Sequence, residues 1–106
     1  MADNENKAVW TGASGKQYTY WYYQLPPNFK AEPGNYIFAK IVNGHWKAVY
    51  IGQTEDLSER FDSHHAAPCI ERNGATYIHA HINAEKAARL AEERDLIAAH
   101  STPCNG

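Results

Sequence analysis

The chain has 106 residues and a formal net charge of −2, which bounds it to one domain able to bury roughly two-thirds of its unfolded surface. With 43% hydrophobic and 21% charged residues it is not a disordered polyelectrolyte, and no apolar run approaches the ~20 residues of a membrane span. The negative balance excludes a surface that coats nucleic acid indiscriminately.

The polar, Gly/Ser-bearing residues 1–15 read as a flexible N-terminus ahead of a single domain over 16–106. The opening MADNENKAV lacks the apolar core of a signal peptide, so cytoplasmic residence is the expectation. In Gln17–Gln24, Tyr18, Tyr20 and Tyr22 alternate with Thr19, Trp21 and Tyr23, a period-two pattern that predicts a strand. Pro26, Pro27 and Pro33 impose an extended connection. Tyr36–Val42 and Trp46–Ile51 flank Asn43-Gly44 and read as a hairpin, apolar on both faces and so central in its sheet.

Thr54 or Asp56 can cap a helix running to about His65, with Leu57, Phe61 and His64 on its inner stripe and Arg60 beside them. Pro68 closes it, a short turn follows at Cys69–Arg72, and Thr76–Ile82 alternates as another strand. Asn83 caps the longest helix, Ala84–His100. The sum is an α+β fold: a small central antiparallel sheet built on the hairpin, flanked by helices, with an extra N-terminal aromatic strand. Cys69 and Cys104 lack metal-ligand spacing and read as reduced thiols.

Charge is unevenly spread. Gly34–Gly52 carries Lys40 and Lys47 and no acid, whereas Gln53–Ala75 is acidic, so a polyanion should approach from the hairpin side. On the last helix, Glu93 falls within roughly 20° of the mean direction of Leu90, Leu96 and Ile97, while Glu85, Glu92 and Asp95 point roughly 100° or more away. A carboxylate on a core-facing stripe is costly unless a cation neutralises it, and Arg60 or a divalent metal ion are the candidates.

Gly34-Asn35-Tyr36-Ile37, Tyr50-Ile51-Gly52, Arg60, His64, Glu93 and Asn105 resemble, in order and spacing, the motif set of the GIY-YIG nuclease family. The match runs from Gly34 to Asn105. Asn35 stands where the family has isoleucine, and Gln53 follows the second motif without a nearby lysine. The resemblance implies a metal-dependent endonuclease acting on DNA, with a second copy or a partner protein supplying specificity. Glu93 would hold Mg²⁺ or Mn²⁺, and Arg60 would fork onto phosphate oxygens. Tyr36 or Tyr50 would take the proton of the attacking water; the choice stays open, with Tyr36 preferred. His64 would accept that proton or touch the phosphate, Asn105 would position, and Lys40, Lys47 and Gln53 would contact substrate.

A shared site needs both tyrosines on one face, yet a two-residue Asn43-Gly44 loop with regular pairing would set them on opposite faces. A three-residue loop, Val42-Asn43-Gly44, with a bulge pairing Tyr36 with Tyr50, is therefore expected. The competing readings are a DNA-binding module on the same fold without nuclease activity, or a zinc-stabilised module drawing on His64, His65, His79, His81, Cys69 and Cys104.

Overall fold

The computed structural model describes residues 6–59 and 64–105. The strands are β1 (Lys7–Thr11), β2 (Gln17–Gln24), β3 (Gly34–Val42), β4 (His45–Thr54) and β5 (Tyr77–Ile82). The helices are α1 (Ala67–Arg72) and α2 (Lys86–Ala99). One five-stranded sheet has the order β1-β2-β5-β3-β4, with every neighbouring pair antiparallel. A radius of gyration of 12.8 Å is that expected of one domain of this length.

The sheet buries both faces. On one, Tyr36, Phe38, Val49, Tyr50, Ile78 and Ala80 pack under Leu57, Ala66 and Ile70, from the segment after β4 and from α1. On the other, Trp10, Tyr20, Ile37, Ala39, Ala48 and Ile51 pack against Leu96 of α2. The period-two alternation of β2 divides its residues accordingly: Tyr20 is buried on the α2 side, and Trp21 lies on the opposite face.

Several expectations change. Residues Lys7–Thr11 are not frayed: they form an edge strand on β2, because Trp10 is buried and its Nε1–H donates to His79 Nδ1 at 3.1 Å. The aromatic strand β2 is interior, and of the hairpin only β3 is central, β4 being the other edge. Residues 56–59 form turns rather than the first turn of a helix; the remainder of that expected helix, with Arg60 and Phe61, lies outside the described residues. Pro68 sits in the first turn of α1 instead of closing an earlier helix, as proline's fixed φ favours. Helix α2 begins at Lys86, and Asn83 Oδ1 accepts the Glu85 N–H ahead of it rather than capping the helix itself. Cys69 and Cys104 are not thiols but a disulfide, with Cα atoms 5.7 Å apart. Their separation in sequence hid a proximity that only the return of the chain after α2 creates.

Candidate active site

The hairpin turns on Asn43-Gly44 alone: Val42 pairs with His45, and both loop residues have positive φ, 53° and 79°. The expected three-residue loop is thus absent. The register shift occurs instead inside the ladder, where Phe38 pairs with Tyr50 and Ala39 with Ala48, leaving Val49 as the extra residue. Val49 and Tyr50 consequently share the α1 face, whereas Ala48 and Ile51 share the α2 face. This bulge brings Tyr36 and Tyr50 together although they are not directly paired. Their rings stack with centroids 6.1 Å apart and an interplanar angle of 25°.

Glycine is needed twice here. Tyr36 pairs with Gly52, and a Cβ on Gly52 would stand 2.7 Å from the Tyr36 ring and hydroxyl and 2.9 Å from the Tyr50 ring. A Cβ on Gly34 would stand 2.2 Å from the His81 carbonyl oxygen. Both motif glycines therefore exist to let other atoms approach the backbone.

His64 completes the cluster. Its Nδ1 accepts the Ala66 backbone N–H at 3.0 Å, so in the neutral ring the proton is on Nε2, which donates to the Tyr36 hydroxyl at 2.8 Å. The neighbouring Tyr50 disfavours ionising Tyr36, whereas Tyr36 favours ionising Tyr50. Burial first, and then the neighbouring Tyr50, push the Tyr36 phenol well above its ordinary range. Burial and the Glu93 charge also raise Tyr50, against the lowering effect of the neighbouring Tyr36. Burial and the neighbouring His65 lower the His64 pKa. The His64 ring meets Tyr50 edge-on at 4.9 Å and stacks on His65 at 4.4 Å. The arrangement is a cluster in which His64 is hydrogen-bonded to Tyr36 and the Tyr50 ring packs against both.

Glu93 is half-buried, and burial raises its carboxyl pKa. Yet it is not the most buried acid of α2: that is Glu92, 5% exposed, on a stripe with Arg89 and Leu96, while Ile97 is exposed. The helical wheel of large aliphatics misjudged this face because polar partners define it. Glu92 Oε2 accepts from the Tyr20 hydroxyl and lies 2.6 Å from His81 Nε2. Arg89 donates from Nε to Gln53 Oε1 at 3.0 Å and from Nη1 to the Asn83 carbonyl at 2.9 Å.

The other expected site residues separate. Gln53 Oε1 accepts from Arg89 Nε at 3.0 Å. Asn105 uses both ends of its amide on Ile51, accepting its N–H and donating to its C=O, each at 2.8 Å. It thereby clamps the edge strand between the two residues of the motif that face the site. Lys40 and Lys47 pair across the hairpin on the tyrosine face but ~13 Å along the strand from Tyr36, toward the loop. Arg60 lies outside the described residues.

Sequence reasoning passed over Arg89, turned Glu92 outward, named His65 only for the zinc reading and took Asn35 only as a departure from the motif. The signal for Asn35 was present: a polar side chain at a core-facing strand position needs a partner, and its Nδ2 donates to the Arg89 carbonyl at 3.0 Å. Among the described residues no group of three or more His, Cys, Asp or Glu side chains could hold a metal ion. A lone half-buried carboxylate beside phenols is still compatible with Mg²⁺, which keeps most of its water and takes one or two carboxylates plus substrate phosphate.

Comparison with protein-family models, curated proteins and solved structures finds no match to the chain. Among the described residues, no helix is long and apolar enough to cross a membrane.

Proposed function

We propose that the chain is a metal-dependent endonuclease of GIY-YIG type that hydrolyses DNA phosphodiesters at the Tyr36–Tyr50–His64 cluster. The observation that carries this reading is the Val49 bulge, which overrides the regular alternation of β4 to put both motif tyrosines on one face. Core packing alone has no need of two stacked phenols, one of them hydrogen-bonded to a histidine.

Tyr50, rather than Tyr36, is the better proton acceptor. Tyr36 is the more strongly raised, and its presence lowers the Tyr50 pKa against the burial that raises it. Tyr50 would accept a proton from water only as the phenolate, its own proton having first left to bulk solvent, and the Tyr36–His64 pair beside it would orient that phenolate. Mg²⁺ or Mn²⁺ held by Glu93 would polarise the phosphoryl oxygens and lower the pKa of attacking water. Glu93 fits that role because burial makes its carboxylate costly without a cation, while Glu92 is already satisfied by Tyr20 and His81. Arg60 would supply the second positive charge, and Asn105 acts through β4 by fixing Ile51.

The zinc-stabilised alternative loses its sulfur ligands, since Cys69 and Cys104 are bonded to each other. The same disulfide favours an oxidising setting over the cytoplasm. Incubating the protein with supercoiled plasmid in Mg²⁺, Mn²⁺ or EDTA tests the proposal. Nicking in metal and none in EDTA is the expected result; binding without nicking in any metal would leave only the DNA-binding module.

A further inference from the structure

A second feature occupies the tyrosine face at the other end of the sheet. An open groove of about 1230 Å³ is lined by Trp21, Tyr23, Phe29, Ile82, Lys7 and Lys30. Tyr23 and Ile82 are 37% and 58% exposed, a cost in apolar surface left in water. Tyr23 meets Phe29 edge-to-face at 5.0 Å, and the Lys7 ammonium lies 5.8 Å from the centre of the Trp21 ring. Among the described residues, Glu32 is the sole carboxylate on its wall, against two lysines.

The groove is aligned with the tyrosines by strand register. Lys7 pairs with Trp21, Trp21 with Ala80, Ala80 with Tyr36 and Tyr36 with Gly52, one row across all the strands. At ~4.8 Å per strand, Trp21 stands ~10 Å from Tyr36 along that row. Leu57 both lines the groove and packs in the tyrosine core, so its side chain is the partition between the two.

We infer that this groove binds an unpaired stretch of DNA leading into the tyrosine cluster, so that the substrate is duplex with a single-stranded arm. The inference rests on the nuclease reading for the identity of the polymer. A void of about 1230 Å³, larger than the ~300–1,000 Å³ of small-molecule sites, suits a chain rather than a compact ligand. Aromatic faces for stacking, interleaved with lysines for phosphates, are what single-strand binding requires and what duplex binding does not. The pairing of bases in a duplex hides the faces that Trp21, Tyr23 and Phe29 would engage.

The test separates binding from cutting. Anisotropy of fluorescein-labelled dT12 in EDTA should report binding that a 12-base-pair duplex displaces poorly. Trp21→Ala should weaken it at least ~10-fold, Tyr23→Ala less, and Trp21→Phe should restore most of the loss. Lys7→Ala should reduce the log–log salt slope by ~0.7. In Mg²⁺, Trp21→Ala should lower the ratio of flap to plain-duplex cleavage ~10-fold. Unchanged dT12 affinity in a folded Trp21→Ala or Tyr23→Ala protein would overturn the inference, as would equal competition by duplex or tighter binding of rU12. Trp21-dependent binding of dT12 without cleavage of any DNA would uphold the groove and sink the nuclease. Cleavage with a Trp21-independent flap ratio would do the reverse.

Discussion

Glu92 and Glu93 are neighbours on one helix, yet they live in opposite surroundings. Glu92 is buried and satisfied, accepting from Tyr20 and His81 on the α2 face of the sheet. Glu93 is half-buried beside the tyrosine cluster, its carboxyl raised by desolvation, and no hydrogen bond reaches it among the described residues. One carboxylate is part of the frame, and the other is held at a cost that a bound cation would remove. On the proposed nuclease reading, the acid that would hold a metal is not the most buried one. What distinguishes Glu93 from Glu92 is incomplete satisfaction next to other titratable groups.

That contrast is open to direct attack. Glu92→Ala should cost about 3–5 kcal/mol, since it strands the buried Tyr20 hydroxyl and the His81 ring together. Urea denaturation measures this, and a loss below ~1 kcal/mol would show that the Glu92 site is not structural.

Reduction of Cys69–Cys104 tests the clamp on the opposite flank. The bridge closes a loop of sequence separation 35, worth about 4 kcal/mol by chain entropy. Cys104 N–H donates to the Val49 carbonyl beside the bulge, and Asn105 follows on Ile51. Dithiothreitol should therefore speed hydrogen exchange at Ile51 before it affects the amides of β2. Uniform acceleration across the sheet would mean that the clamp is not a separate unit.

Glu93→Gln should lower plasmid cleavage at least ~100-fold, about 2.7 kcal/mol in the barrier, while the melting temperature in EDTA holds or rises. A variant that melts far lower yet cuts normally while folded would assign Glu93 to the frame with Glu92. The two substitutions in one set of melts and assays sharpen the comparison from both sides.

The smallest effect concerns pH. His79 is fully buried, its Nδ1 accepts from Trp10, and burial depresses its pKa to about 4. A depressed histidine contributes stability that is complete above the unfolded value near 6.5 and is lost as pH falls from there toward 4. Between pH 7.5 and pH 5 the loss should be about 2 kcal/mol, with His64 adding in the same sense. His79→Gln should flatten the urea-midpoint profile over this window; an unchanged slope would point to another group.

The sequence by itself determined the alternation that makes β2 and β5 strands, the Asn43-Gly44 turn of the hairpin, and the existence of α2. Each follows from interactions within a few residues: side-chain period, turn conformation and helical spacing. It also made the motif tyrosines and glycines visible as a set, though not what the glycines do, which is to accommodate Tyr36 and the His81 carbonyl. The frayed start, the thiols and the inward face of α2 were not legible in it. Lys7–Thr11 lies within a polar start although Ala8, Val9 and Trp10 are apolar, and Trp10 has a slot against His79 that only β5 supplies. Cys69 and Cys104 meet only because the chain returns along β4 after α2. The helix face was decided by Tyr20, His81, Asn35 and Gln53, distant residues whose hydrogen bonds outweigh the aliphatic stripe. The bulge at Val49 is the clearest case. Nothing local favours an extra residue there over one at the turn, and the sheet chose the position that buries Val49 and Tyr50 together under α1 while Ala48 and Ile51 stay under α2.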